Sequence, residues 1–147
     1  MKTTIELIGA GKAGKSTLAR AMVRVLGAES VLLIDASVDL GLTHALPGSD
    51  KPHQTLTDLI QSFLASPPQT QEVIDWAFHE LPRPIDEDGT GELLTMGPLA
   101  AGLPEPVEQM FAYGLKRLCE TYDVVIVDGY HPLVHRLLQE ERLRTIV

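Results

Sequence analysis

Eight consecutive residues near the start of the chain have the types and spacing to hold a polyphosphate. Gly9, Ala10, Gly11, Lys12, Ala13, Gly14, Lys15 and Ser16 fit the pattern G-x-x-x-x-G-K-[ST]. Glycines in such a loop let backbone N–H groups turn inward around phosphate oxygens. A helix that begins there adds the positive end of its dipole. Lys15 then reaches the β/γ-phosphates and the Ser16 hydroxyl ligates Mg²⁺, with Thr17 next along the helix. An ordinary glycine-rich turn would explain Gly9 and Gly11 but not the Lys-Ser pair. A lysine at a helix start faces the positive end of the dipole, a mildly unfavourable place until a phosphate sits there.

Carboxylates at strand ends supply the other half of this chemistry. In a parallel sheet, ligands bind beyond the carboxyl ends of the strands. Val124-Val125-Ile126-Val127 runs into Asp128-Gly129, and Val31-Leu32-Leu33-Ile34 runs into Asp35-Ala36-Ser37-Val38-Asp39. An apolar strand ending in Asp beside a phosphate loop is the Walker B arrangement, whose carboxylate holds Mg²⁺, usually through water. Asp128 is the candidate. A turn or helix cap would also use an Asp, but not the four aliphatic residues before it. Asp35 either serves the same ion or orients water.

The elements that must position these residues alternate between apolar strands and amphipathic helices. That order predicts an α/β fold, a three-layer sandwich around a mainly parallel sheet. Strands are expected over residues 3–9, 30–35, 92–96 and 123–128, and another begins at 143–147. The run at 31–34 is apolar throughout, as in strands covered on both faces. Helices are expected from Lys15, with Leu18, Met22 and Val25 on the inner face, and over 55–65, with Leu56, Leu59, Ile60, Phe63 and Leu64 at helical spacing. A helix over 70–81 turns Val73, Ile74, Ala77, Phe78 and Leu81 inward. A long helix lies within 104–122, and Pro132 opens another at an allowed first-turn position. Residues 82–91, acidic and rich in Pro and Gly, read as a solvated loop. Residues 1–147 are therefore expected to form a single nucleotide-binding domain.

Composition narrows the function classes. At 147 residues the chain can bury one sizeable core. Its net charge of −8, with Arg and Lys scattered apart from Lys12 and Lys15, argues against direct nucleic-acid binding. No apolar run approaches a membrane span, and no signal peptide is expected ahead of the first strand. A single cysteine, Cys119, allows no internal disulfide and fits a reducing cytoplasm; on an apolar helical stretch it reads as a buried thiol. His131 and His135 are four apart and share a helical face, which suits two metal ligands but lacks a third nearby; the pair is more often incidental. His44, His53 and His79 carry no signal, and Trp76 reads as packing. Gly97-Pro98 either lines the site or makes a plain turn.

Three stretches together, 9–17, 31–46 and 122–128, resemble the ParA/MinD (SIMIBI) group of P-loop ATPases, which includes the nitrogenase iron protein and CooC-type ATPases. The helix start Thr55-Leu56-Thr57-Asp58-Leu59 resembles the group too. The resemblance implies a P-loop NTPase fold, ATP and Mg²⁺ as cofactors, a homodimer formed on ATP binding, and switch segments after the strands ending at Asp35 and Asp128. By motif, residues 9–17 hold the nucleotide, and Lys15, Asp35 and Asp39 are the catalytic candidates. Ser16, Asp35 and Asp128 are the metal candidates. Family members usually continue into further strands and a base-binding segment, which this chain is expected to lack.

Two departures bear on catalysis. The family's lysine directly after the first glycine is Ala10 here, and Lys12 lies two residues further on. The second Asp of the Asp-x-Asp switch, which positions the attacking water, is Ser37, with Asp39 two residues later. Loss of water positioning and of one transition-state charge contact could each cost on the order of 10²-fold in rate. The expectation is an ATP-binding switch acting on a protein partner, with slow or conditional hydrolysis. The alternatives are a non-catalytic nucleotide-binding regulator and, more weakly, a small-molecule phosphotransferase, whose lid arginine would be Arg83. The branch markers are missing: no Cys-x-Cys stands near 101–104, and residues 139–147 are not a basic amphipathic membrane helix.

Overall fold

Among the described residues, six strands form one sheet in the order β3-β4-β2-β5-β1-β6, and all pair parallel except β3. They are β1 (Thr3–Leu7), β2 (Val31–Asp35), β3 (Arg83–Pro84), β4 (Gly91–Thr95), β5 (Val124–Asp128) and β6 (Leu143–Ile146). The helices are α1 (Lys15–Val25), α2 (Leu56–Ala65), α3 (Gln71–His79), α4 (Glu105–Glu120) and α5 (Pro132–Gln139). This computed structural model describes residues 3–8, 15–26, 30–36, 54–85, 91–98, 102–139 and 143–146. The α/β architecture expected from the alternation is the one observed.

Helices cover both faces, so β2 and β5 are buried along their whole length. Their unbroken Val/Leu/Ile runs are what a doubly covered strand requires. On one face α2, α3, α4 and α5 pack against Leu32, Ile34, Leu94, Val125 and Val127. On the other, α1 packs through Ala19 and Val23 against Leu7, Leu33 and Ile126. Handedness explains part of this division. The β1→α1→β2 crossover moves along the sheet in one direction, and β5→α5→β6 moves in the other. Right-handed crossovers then put α1 and α5 on opposite faces. The direction reverses between β1 and β5, and in open α/β sheets ligands bind at the carboxyl ends beside such a switch point.

Several expectations about inner faces need correction. Leu18 and Val25 of α1 point outward, Val25 being 84% exposed, and Ala19 and Val23 are buried instead. The pair is spaced i, i+4, and the small Ala19 lets the helix lie close to the sheet. Leu64 and Val73 are also exposed. Trp76, expected to pack, is 67% exposed, because α3 is anchored by Ile74 and Phe78 on its other side. Cys119 is buried, as read from its apolar surroundings.

Part of the 82–91 loop is ordered as a strand. Arg83 and Pro84 pair antiparallel with Leu93 and Glu92 at the sheet edge, a position where proline's missing N–H costs no ladder bond. Residues 86–90 lie outside the described residues. Tyr122 donates its hydroxyl to Glu92, fastening the start of β5 to β4. Burial, reinforced by that carboxylate, holds the phenol proton well above its ordinary pKa.

Candidate functional site

The carboxyl edge of the sheet collects the polar residues. Asp35 of β2 stands in register with Thr95 of β4 on one side and Asp128 of β5 on the other. Asp128 is itself in register with Leu7 of β1. All three polar residues are buried, Asp35 and Asp128 fully. Neighbours in register on a parallel sheet point to the same side, and side chains alternate along a strand. Leu33 and Ile126, two residues earlier, pack with α1, so Asp35 and Asp128 face the α1 layer. Adjacent strands lie about 4.8 Å apart, which puts the two carboxylates side by side. Hard oxygen donors so placed fit a Mg²⁺ ion, and a cation between them removes the repulsion of two buried like charges.

Backbone bonds fix this edge. Ala36 N–H donates to Asp128 O at 2.9 Å, Met96 N–H to Asp35 O at 3.0 Å, and Gly129 N–H to Leu7 O at 3.1 Å. The segment after each strand thus leaves from its neighbour. Gly129, with φ of 101°, makes the turn that follows Asp128. The start of α2 meets the same edge. Thr57 donates both its N–H and its hydroxyl to Met96 O, each at 2.9 Å. Thr55 and Asp58 form a reciprocal capping box that starts α2. Gly97 has φ of 74°, and a Cβ there would lie 3.0 Å from both the Thr55 and Thr57 hydroxyls. Gly97-Pro98 is therefore a close-packed turn against the α2 start.

The predicted phosphate-loop residues divide between described and undescribed parts. Lys15 and Ser16 begin α1, as expected, and Thr17 is exposed at its first turn. Gly9, Ala10, Gly11, Lys12, Ala13 and Gly14 lie outside the described residues, as do Ser37 and Asp39. Arg83 sits on β3, four strand positions from β1, a separation of about 19 Å at the ordinary strand spacing. Partial burial lowers its pKa. Arg83, the lid arginine of the phosphotransferase reading, thus stands at the far edge of the sheet from β1.

His131 and His135 each use Nδ1 within the fold. Leu133 N–H donates to His131 Nδ1 at 3.2 Å, so His131 caps α5. His135 Nδ1 meets Glu6 Oε2 at 2.6 Å, and its ring packs on Tyr130 with centroids 5.2 Å apart. Among the described residues, no group of three or more His, Cys, Asp or Glu could hold a metal. Glu6 is a fully buried carboxylate inside β1, and its Oε1 has no hydrogen-bond partner among the described residues. The signal was visible in sequence as a Glu within Thr-Thr-Ile-Glu-Leu, one residue from the apolar Leu7. Thr95 gave no comparable signal.

Glu6 and His135 tie β1, which precedes residues 9–16, to α5, which follows Asp128. Removing one partner of a buried pair costs about 3–5 kcal/mol. His135 is partly exposed, so His135→Ala is expected to destabilise the fold by about 2 kcal/mol, less than that range. Urea unfolding checks this; an unchanged midpoint would show that the pair is not holding α5.

No protein-family model matches the chain, and no curated protein sequence matches it. Among solved structures, it is similar to the crystal structure of a ParA family ATPase from Chlorobium tepidum TLS. The TM-score is 0.61 at 21% identity, over 99% of this chain and 60% of that one. At that identity the likeness is one of fold. This chain thus spans 60% of the length of the ParA structure it matches.

Proposed function

We propose that the chain is a ParA/MinD-like P-loop protein that binds ATP with Mg²⁺ and switches a protein partner, hydrolysing slowly or conditionally. One observation carries the reading. Two fully buried carboxylates, Asp35 and Asp128, stand in register at the carboxyl edge, on the side of the helix that Lys15 and Ser16 begin. Backbone N–H groups of residues 9–14 would surround the phosphates, and Lys15 would reach their outer oxygens. Ser16, Asp128 and Asp35 would hold Mg²⁺, which neutralises charge on the phosphates when bound.

A homodimer formed on ATP binding and a cytoplasmic setting belong to the same reading, the latter supported by a single buried cysteine. No helix among the described residues is long and apolar enough to cross a membrane. Ala10 and Ser37, standing where the resembled family has Lys and Asp, support slow turnover and favour a non-catalytic regulator as the second reading.

Malachite-green phosphate release measured beside the affinity for a fluorescent ATP analogue tests both. Micromolar binding with turnover well below one per second is expected. Turnover near one per second that Asp39→Ala leaves unchanged would overturn the impaired-hydrolysis reading. Absence of any nucleotide binding would overturn the proposal itself. Light scattering with and without ATP reads the dimer.

A further inference from the structure

Helix α3 leaves the chain's one tryptophan in water. Ile74 and Phe78 anchor the helix in the core, and Trp76 lies on the opposite side beside the exposed Val73. A packed tryptophan buries 150–250 Å², so an outward one on a well-anchored helix forgoes a large contact. Glu72 and Glu80 stand one turn before and one turn after Trp76, in the same i±4 row. Both are exposed, and neither joins an ion pair with a described residue. Asp75, on the flank, is already engaged by Arg117 at 3.6 Å and by the Tyr113 hydroxyl at 3.4 Å. The open row therefore reads carboxylate, indole, carboxylate.

That row is complementary to a cation on an apolar stem. An indole face attracts guanidinium and ammonium groups, and a carboxylate on each side can accept their N–H bonds. A second copy of this chain fits poorly, since a two-fold contact would set Glu72 and Glu80 against themselves on a protein of net charge −8. We infer that the outward row of α3, Glu72, Trp76 and Glu80 with Val73 alongside, docks an arginine- or lysine-bearing segment of a protein partner. This surface lies in the layer opposite α1 and needs no nucleotide, so a failed ATP titration would leave it standing.

The test is selection of a phage-displayed library of random 16-residue peptides on the intact chain. Wild-type protein should enrich peptides of net positive charge carrying Arg or Lys. Fluorescence anisotropy of the leading labelled peptide should weaken about tenfold or more in Trp76→Ala, and likewise in the double variant Glu72→Lys, Glu80→Lys. Binding should also shift the Trp76 emission to the blue. All three positions are exposed, so the variants should melt like wild type. The inference is overturned if selection enriches nothing or enriches neutral and acidic peptides. It is equally overturned if both variants bind as wild type does. A blue shift of the peptide-free protein as its own concentration rises would overturn it too, because a second copy would then cover the row.

Discussion

Lys15→Ala is expected to weaken ATP·Mg²⁺ binding by on the order of a hundredfold. The lysine is the one side-chain cation that the loop pattern aims at the β/γ-phosphates, and charge-assisted contacts to phosphate are the strong ones. The effect can be read without turnover. A ligand at a hundred times its Kd stabilises the folded state by about 2.7 kcal/mol; at its Kd the gain falls to about 0.4 kcal/mol. Thermal melts at a fixed ATP concentration should therefore show a clear rise for wild type and almost none for Lys15→Ala. Without nucleotide the two proteins should melt together, since a lysine facing the positive end of α1 contributes nothing favourable to the empty fold. Equal ATP-induced shifts in the two would remove the phosphate loop from the proposed function. Asp128→Asn offers a separate arm: its loss should appear in Mg²⁺-dependent binding rather than in binding with EDTA present.

A second large effect lies in the hydrophobic core. Gly114 sits inside α4, where helix propensity alone favours alanine by about 1 kcal/mol. The tertiary structure reverses that sign. A Cβ at Gly114 would lie 2.2 Å from Cδ2 and 2.3 Å from Cε2 of the Phe78 ring. Phe78 is fully buried, with Phe63 and Phe111 rings at 6.4 Å and 6.2 Å, so it has little room to retreat. Overpacking of this kind costs about 1–3 kcal/mol and sometimes more. Gly114→Ala is expected to lose about 3 kcal/mol, seen as a lower urea midpoint with an unchanged m value. Phe78→Leu combined with Gly114→Ala should lose less than the two separate losses added together, because the contact partners are shared. Additive losses would show that the clash is not between these two residues.

Much of the fold was legible because the strands announce themselves. Val31–Asp35 and Val124–Asp128 are apolar throughout, and only strands covered on both faces carry such runs. Helix α2 was legible from Leu56, Leu59, Ile60 and Phe63 at helical spacing, and the structure adds the Thr55–Asp58 capping box that starts it. Helix faces were less legible. Periodicity identifies a stripe but not the axial rotation of the helix, and on α1 that rotation buries Ala19 in place of Leu18. The position of Trp76 was hidden for the same reason. Aromatic residues usually find cover, and only the docking of α3 through Ile74 and Phe78 shows that this one does not.

By itself the sequence determined that a G-x-x-x-x-G-K-S stretch leads into a helix after the first strand, and that two apolar strands end in Asp. Those are local facts, set by residue type and spacing along the chain. Tertiary structure alone decided that β5 inserts between β1 and β2, putting Asp35 and Asp128 side by side on the face that α1 covers. It likewise brought Glu6 to His135, and Phe78 to Gly114. Strand order depends on which surfaces bury best together, a property of the whole core that no short stretch of chain encodes.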